Sequence, residues 1–186
     1  MKKHLSRLIL KVFGWKYNSF PDIGGCVVAV APHTSMWDFV WGKLYIMGQG
    51  RPSCVLIKKE VFKFPLGTLL RAFGGVPVDR TSPQGLAKLL PDLYGGNPDL
   101  LIAITPEGTR KKTVNWKKGF IHIAKTARVP IVVGFLDYKR KELGVLGVMG
   151  YEDDADKIMA DFKRKFHGFT GKHPERFITG FENEQI

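Results

Sequence analysis

The chain has 186 residues, 44% of them hydrophobic and 12% aromatic, enough for one sizeable core and too apolar throughout to read as disordered. Its formal net charge of +12 at pH 7 points to an anionic partner: nucleic acid, a phospholipid surface or a phosphorylated substrate. The sequence has no zinc-ligand spacing, heptad-linked basic region or RNP-type aromatic motif, so nucleic acid would rest on charge alone and is set aside; no run approaches the roughly 20 apolar residues needed to span a bilayer.

Near the start, Leu5, Leu8, Ile9 and Val12 recur at helical spacing beside Phe13 and Trp15, bordered by Lys2, Lys3, Arg7, Lys11 and Lys16. Within residues 1–20 this predicts a short amphipathic helix whose stripe has two uses. It can pack on the domain core, as most such helices do, or lie in an anionic membrane interface. Arg7 and Lys11 interrupt the apolar stretch that a secretory signal needs. The continuous apolar run Cys26 to Ala31 reads as a buried strand, and Met36 to Met47 carries Phe39, Val40, Lys43, Leu44 and Met47 at helical spacings. Ser53 to Ile57 is a second strand, Val61 to Phe73 a helical region bent or begun at Pro65, and Val76 to Val78 a brief strand. Pro83 to Tyr94 reads as a helix capped by Ser82 with a proline in its first turn. Leu100 to Ile104 is a third apolar strand, Gly119 to Arg128 helical, and Ile131 to Leu136 a strand begun by Pro130. Residues 143–150, Gly-rich and apolar, predict a further strand or hairpin, and Asp154 to Phe166 a basic amphipathic helix. The alternation predicts one α/β domain over residues 1–186, with a mixed, largely parallel sheet flanked by helices. Cys26 and Cys54 fall in separate strands without C-x-x-C spacing and read as buried free thiols suited to a reducing compartment.

Two segments carry chemistry, and both follow apolar strands, at the edge where ligands gather in such sheets. In His33-Thr34-Ser35-Met36-Trp37-Asp38, the imidazole can take a proton near neutral pH. Asp38 can fix its tautomer if the chain turns between them, and Pro32, Thr34 and Ser35 favour that turn. The spacing alone is common by chance. In Thr105-Pro106-Glu107-Gly108-Thr109-Arg110, Pro-Glu-Gly forces a tight turn whose N–H groups can face an anion, and Arg110 can grip phosphate oxygens. A surface turn with an ordinary Glu–Arg ion pair is the alternative.

In chain order, the His33–Asp38 block, Gly74-Gly75-Val76-Pro77-Val78-Asp79-Arg80, the Pro106–Arg110 block and Val129-Pro130-Ile131-Val132-Val133 resemble the four blocks of the glycerolipid acyltransferase family, which includes lysophosphatidic acid and other lysophospholipid acyltransferases. The resemblance spans about residues 26–136, and Lys58-Lys59-Glu60 with Pro65 and Gly67 resembles the basic stretch between the first two blocks. It implies transfer of a fatty acyl group from acyl-CoA or acyl carrier protein to a lipid hydroxyl, with these thioesters as co-substrates and neither a cofactor nor a metal. His33 would be the general base and Asp38 its orienting partner. Glu107, Gly108, Thr109 and Arg110 would bind the glycerophosphate of the acceptor, and Arg80, Lys59 and Lys58 would add positive charge. The implied acceptor is 1-acylglycerol-3-phosphate, giving phosphatidic acid. Another lysophospholipid, an aminolipid, or a non-catalytic basic membrane-binding module are the alternatives. A serine hydrolase built on Ser35 lacks the G-x-S-x-G elbow. The expected location is the cytoplasmic side of the cell membrane, peripheral or monotopic. Thr105, where a bulky apolar residue is usual, and Pro77, inside a predicted strand, depart from the family pattern.

Overall fold

The computed structural model describes residues 2–79 and 83–182. Its strands are β1 (Lys16–Tyr17), β2 (Cys26–Ala31), β3 (Ser53–Lys58), β4 (Gly75–Val78), β5 (Leu101–Ile104), β6 (Ile131–Asp137) and β7 (Glu142–Met149). They form one sheet in the order β1-β7-β6-β2-β5-β3-β4. Every pairing is parallel except the β6–β7 hairpin, as the alternation of strands and helices predicts. The carboxyl ends of β2, β3, β4, β5 and β6 therefore share one edge, and both chemical segments leave from it. Pro77 sits in β4, which ends the sheet order, where a missing N–H is tolerated.

The helices are α1 (Lys2–Val12), α2 (Trp37–Gln49), α3 (Leu66–Ala72), α4 (Pro83–Gly96), α5 (Gly119–Ala127) and α6 (Ala155–Arg164). Alternate strand residues divide the core between the two faces of the sheet. Val27, Ala29, Leu56, Ile102 and Val133 pack with Leu90 of α4, Phe120 of α5 and Phe162 of α6. Val28, Leu101 and Val132 pack with Leu10 of α1 and Trp41 and Ile46 of α2. The helix expected at Asp154 is α6, capped by that carboxylate, which accepts from Asp156 N–H at 2.8 Å and Lys157 N–H at 3.3 Å. The Val61–Phe73 region resolves into α3, beginning just past Pro65. Ser82, the expected cap of α4, lies outside the described residues. Cys26 and Cys54 are buried and free.

The short N-terminal helix expected within residues 1–20 is α1. The helix stops at Val12, Gly14 takes a left-handed φ of 75° that suits glycine, and the chain enters β1 beside β7. Trp15, which stands beside the stripe in the sequence, is buried between sheet and helix. The face that α1 turns inward is Ser6 and Leu10, with Arg7 Nε donating to Gly48 O of α2 at 2.8 Å. Leu5, Leu8, Val12 and Phe13 are 58%, 57%, 72% and 56% exposed. No helix among the described residues is long and apolar enough to cross a membrane.

Candidate active site

Pro32 ends β2 and the chain turns sharply into α2, folding Asp38 back under the loop it follows. One oxygen, Oδ2, accepts from Thr34 N–H at 2.7 Å and Ser35 N–H at 2.8 Å, and lies 3.1 Å from His33 Nδ1. The other, Oδ1, accepts from the Tyr138 hydroxyl at 2.6 Å. Burial pushes the Asp38 pKa up, but the hydrogen bonds from His33, Tyr138 and Ser35 outweigh it and hold the carboxyl below its ordinary range. Its place in the first turn of α2 adds the favourable field of a helix N-terminus. Facing an ionised carboxylate, Nδ1 carries the ring proton and donates it, which leaves Nε2 as an acceptor. Asp38 thereby fixes the ring's orientation and directs Nε2 away from the carboxylate. Ser35 Oγ instead accepts from Trp37 N–H at 3.3 Å and forms no hydrogen bond with His33 among the described residues.

The second segment reaches the first through the pairing of β5 with β2. Gly108, at φ 66°, closes the turn with its N–H on Thr105 O at 3.0 Å. Glu107 is only 3% exposed, and its Oε1 accepts from the backbone N–H of His33 at 2.6 Å. The structure thus places this residue under the His33 loop, whereas the motif alone suggested a contact with the acceptor. Gly108 and Arg110 remain exposed on the same loop, and Thr109 is half-buried with its hydroxyl accepting from Lys111 N–H at 3.2 Å. Lys58 and Lys59 are exposed where β3 ends, Lys59 paired with Asp79 at 2.5 Å. Arg80 lies outside the described residues.

Below His33 a cavity of about 340 Å³ runs between α2 and the sheet. Val28, Val30, Val55 and Ala103 line it from the strands; Gly42 and Ile46 line it from α2, and Met36 from the residue just before that helix. Its far end reaches Lys43, whose Nζ donates to Ser53 O and Oγ at 3.3 and 3.1 Å at the opposite edge of the sheet. Burial pushes the Lys43 pKa down. An apolar slot of this size, with a base at one end, suits a flexible hydrocarbon ligand.

Residues 16–133 match the family model described as Acyltransferase. The chain belongs to this acyltransferase family. Over 111 residues it is 32% identical to a 1-acyl-sn-glycerol-3-phosphate acyltransferase from Cocos nucifera, an alignment covering 56% of this chain and 35% of the relative. The chain therefore spans about a third of that relative's length. The acyltransferase fold is also that of the 1-acyl-sn-glycerophosphate (LPA) acyltransferase PlsC from Thermotoga maritima, with a TM-score of 0.58 at 18% identity, covering 88% of this chain and 76% of the other.

One polar partner of this acyltransferase's site escaped the motifs, and so did the contact made by another. Tyr138, just past β6, lies outside the matched segment, and its only signal was a polar residue at the carboxyl end of an apolar strand. Glu107 stood in a motif, but nothing local indicated its partner, 74 residues away.

The buried Glu107 carboxyl makes stability depend on pH. Burial, with the Asp38 charge adding to it and the His33 N–H opposing it, lifts the pKa from 4.5 to about 8. The folded chain keeps this proton through that window while the unfolded chain loses it, so stability falls as pH rises from about 4.5 to about 8. Glu107→Gln keeps an acceptor for the His33 N–H and has no proton to lose. In urea unfolding it is expected to match the parent near pH 5 and exceed it near pH 8 by on the order of 2 kcal/mol. Parallel pH dependences in the two proteins would remove this assignment.

Proposed function

We propose that the protein transfers a fatty acyl group from a thioester to the free hydroxyl of a lysophospholipid, with 1-acylglycerol-3-phosphate as the acceptor and phosphatidic acid as the product. The observation that carries this reading is the His33–Asp38 pair beside an apolar cavity of about 340 Å³. His33 Nε2 takes the acceptor's hydroxyl proton while Asp38 stabilises the imidazolium that forms. The oxygen attacks the thioester carbonyl directly, giving a tetrahedral intermediate. Its collapse breaks the carbon–sulfur bond, forms the ester and releases a thiolate that recovers the proton from His33. General-base assistance supplies about 10²- to 10⁴-fold; the positioning of both substrates supplies much of the rest.

In this reading the exposed Arg110 and the turn N–H groups beside Gly108 and Thr109 take the acceptor's phosphate. Lys58 and Lys59 add positive potential at the same edge, and Arg80, from the sequence motif, is assigned the same role. Glu107 serves this subsite by holding its loop against His33.

The acceptor and product are lipids, and the exposed surface suits a membrane. The outward side chains Leu5, Leu8, Val12 and Phe13 meet the cavity mouth through aromatic contacts. Phe13 packs on Trp41 at 5.2 Å, and Trp41 stacks on Trp37 at 5.8 Å, beside the exposed Met36. Lys2, Lys3 and Lys11 on α1 complete the pattern of an interfacial helix on an anionic surface.

The test is purified protein with labelled acyl-CoA and acyl carrier protein thioesters, offered a panel of lysolipids and aminolipids on anionic and neutral vesicles. Ester formation on 1-acylglycerol-3-phosphate, with binding to anionic vesicles that weakens in Leu8→Ser/Phe13→Ser, is the expected result. Thioesters left intact with every acceptor would overturn the reading. Activity confined to another acceptor would replace the proposed substrate.

A further inference from the structure

We propose that Tyr138 is a positioning residue for the acyl transfer, acting through Asp38 on the His33 ring. The inference rests on His33 being the base of that reaction. Tyr138 is delivered to Asp38 by the fold. It follows β6, which pairs with β2, and the turn after it is fixed by the fully buried Asp137, whose Oδ1 accepts from Lys139 N–H at 2.9 Å and Arg140 N–H at 3.1 Å. Its own N–H donates to Thr170 O at 2.9 Å, and its ring packs edge-on against Trp15, with centroids 5.1 Å apart. These contacts aim the hydroxyl at Asp38 Oδ1, to which it donates at 2.6 Å, while its oxygen accepts from the Trp41 indole.

The chemistry of that bond is specific. Three N–H groups converge on Oδ2, so Tyr138 holds the other half of a buried carboxylate. A donor on Oδ1 shares the carboxylate's negative charge and fixes the plane in which Oδ2 meets His33 Nδ1. It also prevents Asp38 from rotating about its bonds to Thr34 and Ser35. Deleting the hydroxyl lets Asp38 turn out of the plane that orients His33 Nδ1, which is what costs rate, while the charge concentrated on Oδ2 makes the resting ring bind a proton more tightly. The other ionisable groups nearby stay in place. They are Glu107 under the His33 N–H, His173 whose N–H bonds Thr34 Oγ1 at 3.2 Å, Lys172 over Trp37 and Lys141 over Trp15.

Tyr138→Phe keeps the ring packing and the backbone bond, so the variant should fold; an unchanged melting temperature checks it. The expected result is a kcat lower by about tenfold with KM unchanged, and an acid limb of the pH–rate profile moved to higher pH. The His33 ring titration, followed by NMR, should move up with it. In an Asp38→Asn background the same substitution should cost almost nothing, because the residue through which it acts has lost its charge. A His33 titration that does not move, or losses that simply add in the double variant, would overturn the proposal. The NMR titration needs no turnover. If the unaltered chain transfers no acyl group, the acyl-transfer reading falls while Tyr138's influence on His33 is still decided.

Discussion

Replacing His33 with alanine should lower thioester consumption by about 10²- to 10⁴-fold, the range a positioned general base contributes, while vesicle binding survives. The loss belongs to kcat, since the imidazole acts on a proton that moves only in the transition state. The variant should fold normally. His33 stands at the end of β2, and its structural bonds are a backbone N–H to Glu107, which alanine keeps, and one ring contact to Asp38. Asp38→Asn is the companion test. An asparagine with its carbonyl oxygen in the Oδ2 position still accepts from Thr34 and Ser35, and its amide can donate to the Tyr138 oxygen. The loop keeps its shape, but the imidazolium loses its counter-charge, and a fall of about 10²-fold or more is expected. The double variant should be little worse than His33→Ala alone, because the two residues act as a unit. Thiol release from acyl-CoA, read beside near-ultraviolet circular dichroism, decides the matter. A His33→Ala protein with most of its activity would move the base elsewhere and restore the reading of a binding module.

The difference between what the residues announced and what they build follows from distance along the chain. His33 and Asp38 were legible because five residues and a proline-led turn bring them together. The strands were legible because runs such as Cys26–Ala31 are apolar on both faces, as a strand covered by helices on both sides must be. Tyr138 was not legible as a partner of the site, and Glu107, legible as a site residue, was not legible as the partner of the His33 N–H. They reach the site across 100 and 74 residues, through the placement of β6 and β5 on either side of β2, and no local pattern records a strand order. The N-terminal helix shows a different limit. Leu5, Leu8 and Val12 make the obvious stripe, yet the fold buries Leu10 beside the small Ser6, because Gly48 of α2 lets that face approach closely. A two-residue strand like β1 carries no periodicity, and only Gly14 marked where the helix had to stop. The cavity left no mark in the sequence at all, since it is a space between α2 and the sheet rather than a run of residues.

That space makes the second large prediction. Met36, Phe39, Lys43 and Ile46 follow one another at helical spacing along the cavity face of α2, with Gly42 among them, and a Cβ at Gly42 would meet no atom within 4 Å. A side chain there would grow into the slot, between His33 at its mouth and Lys43 at its far end. If the slot holds the acyl chain, Gly42→Phe should block its deeper part. Long-chain thioesters should then lose kcat/KM while short ones keep it. Each methylene refused a buried position forfeits about 0.8 kcal/mol, close to fourfold, so a few displaced carbons invert the preference of the enzyme. Gly42→Ala should change it little and Gly42→Leu by an intermediate amount, in the order of side-chain volume. Misfolding does not explain such a series, because glycine inside a helix is destabilising by about 1 kcal/mol relative to alanine, and the substitutions favour α2. The measurement is kcat/KM against thioesters of increasing length for the parent and the three variants. Uniform loss at every length would mean that the chain binds elsewhere and that the cavity is only a packing defect beside α2. A graded cutoff would identify the slot as the ruler and place its far limit at the Lys43–Ser53 contact.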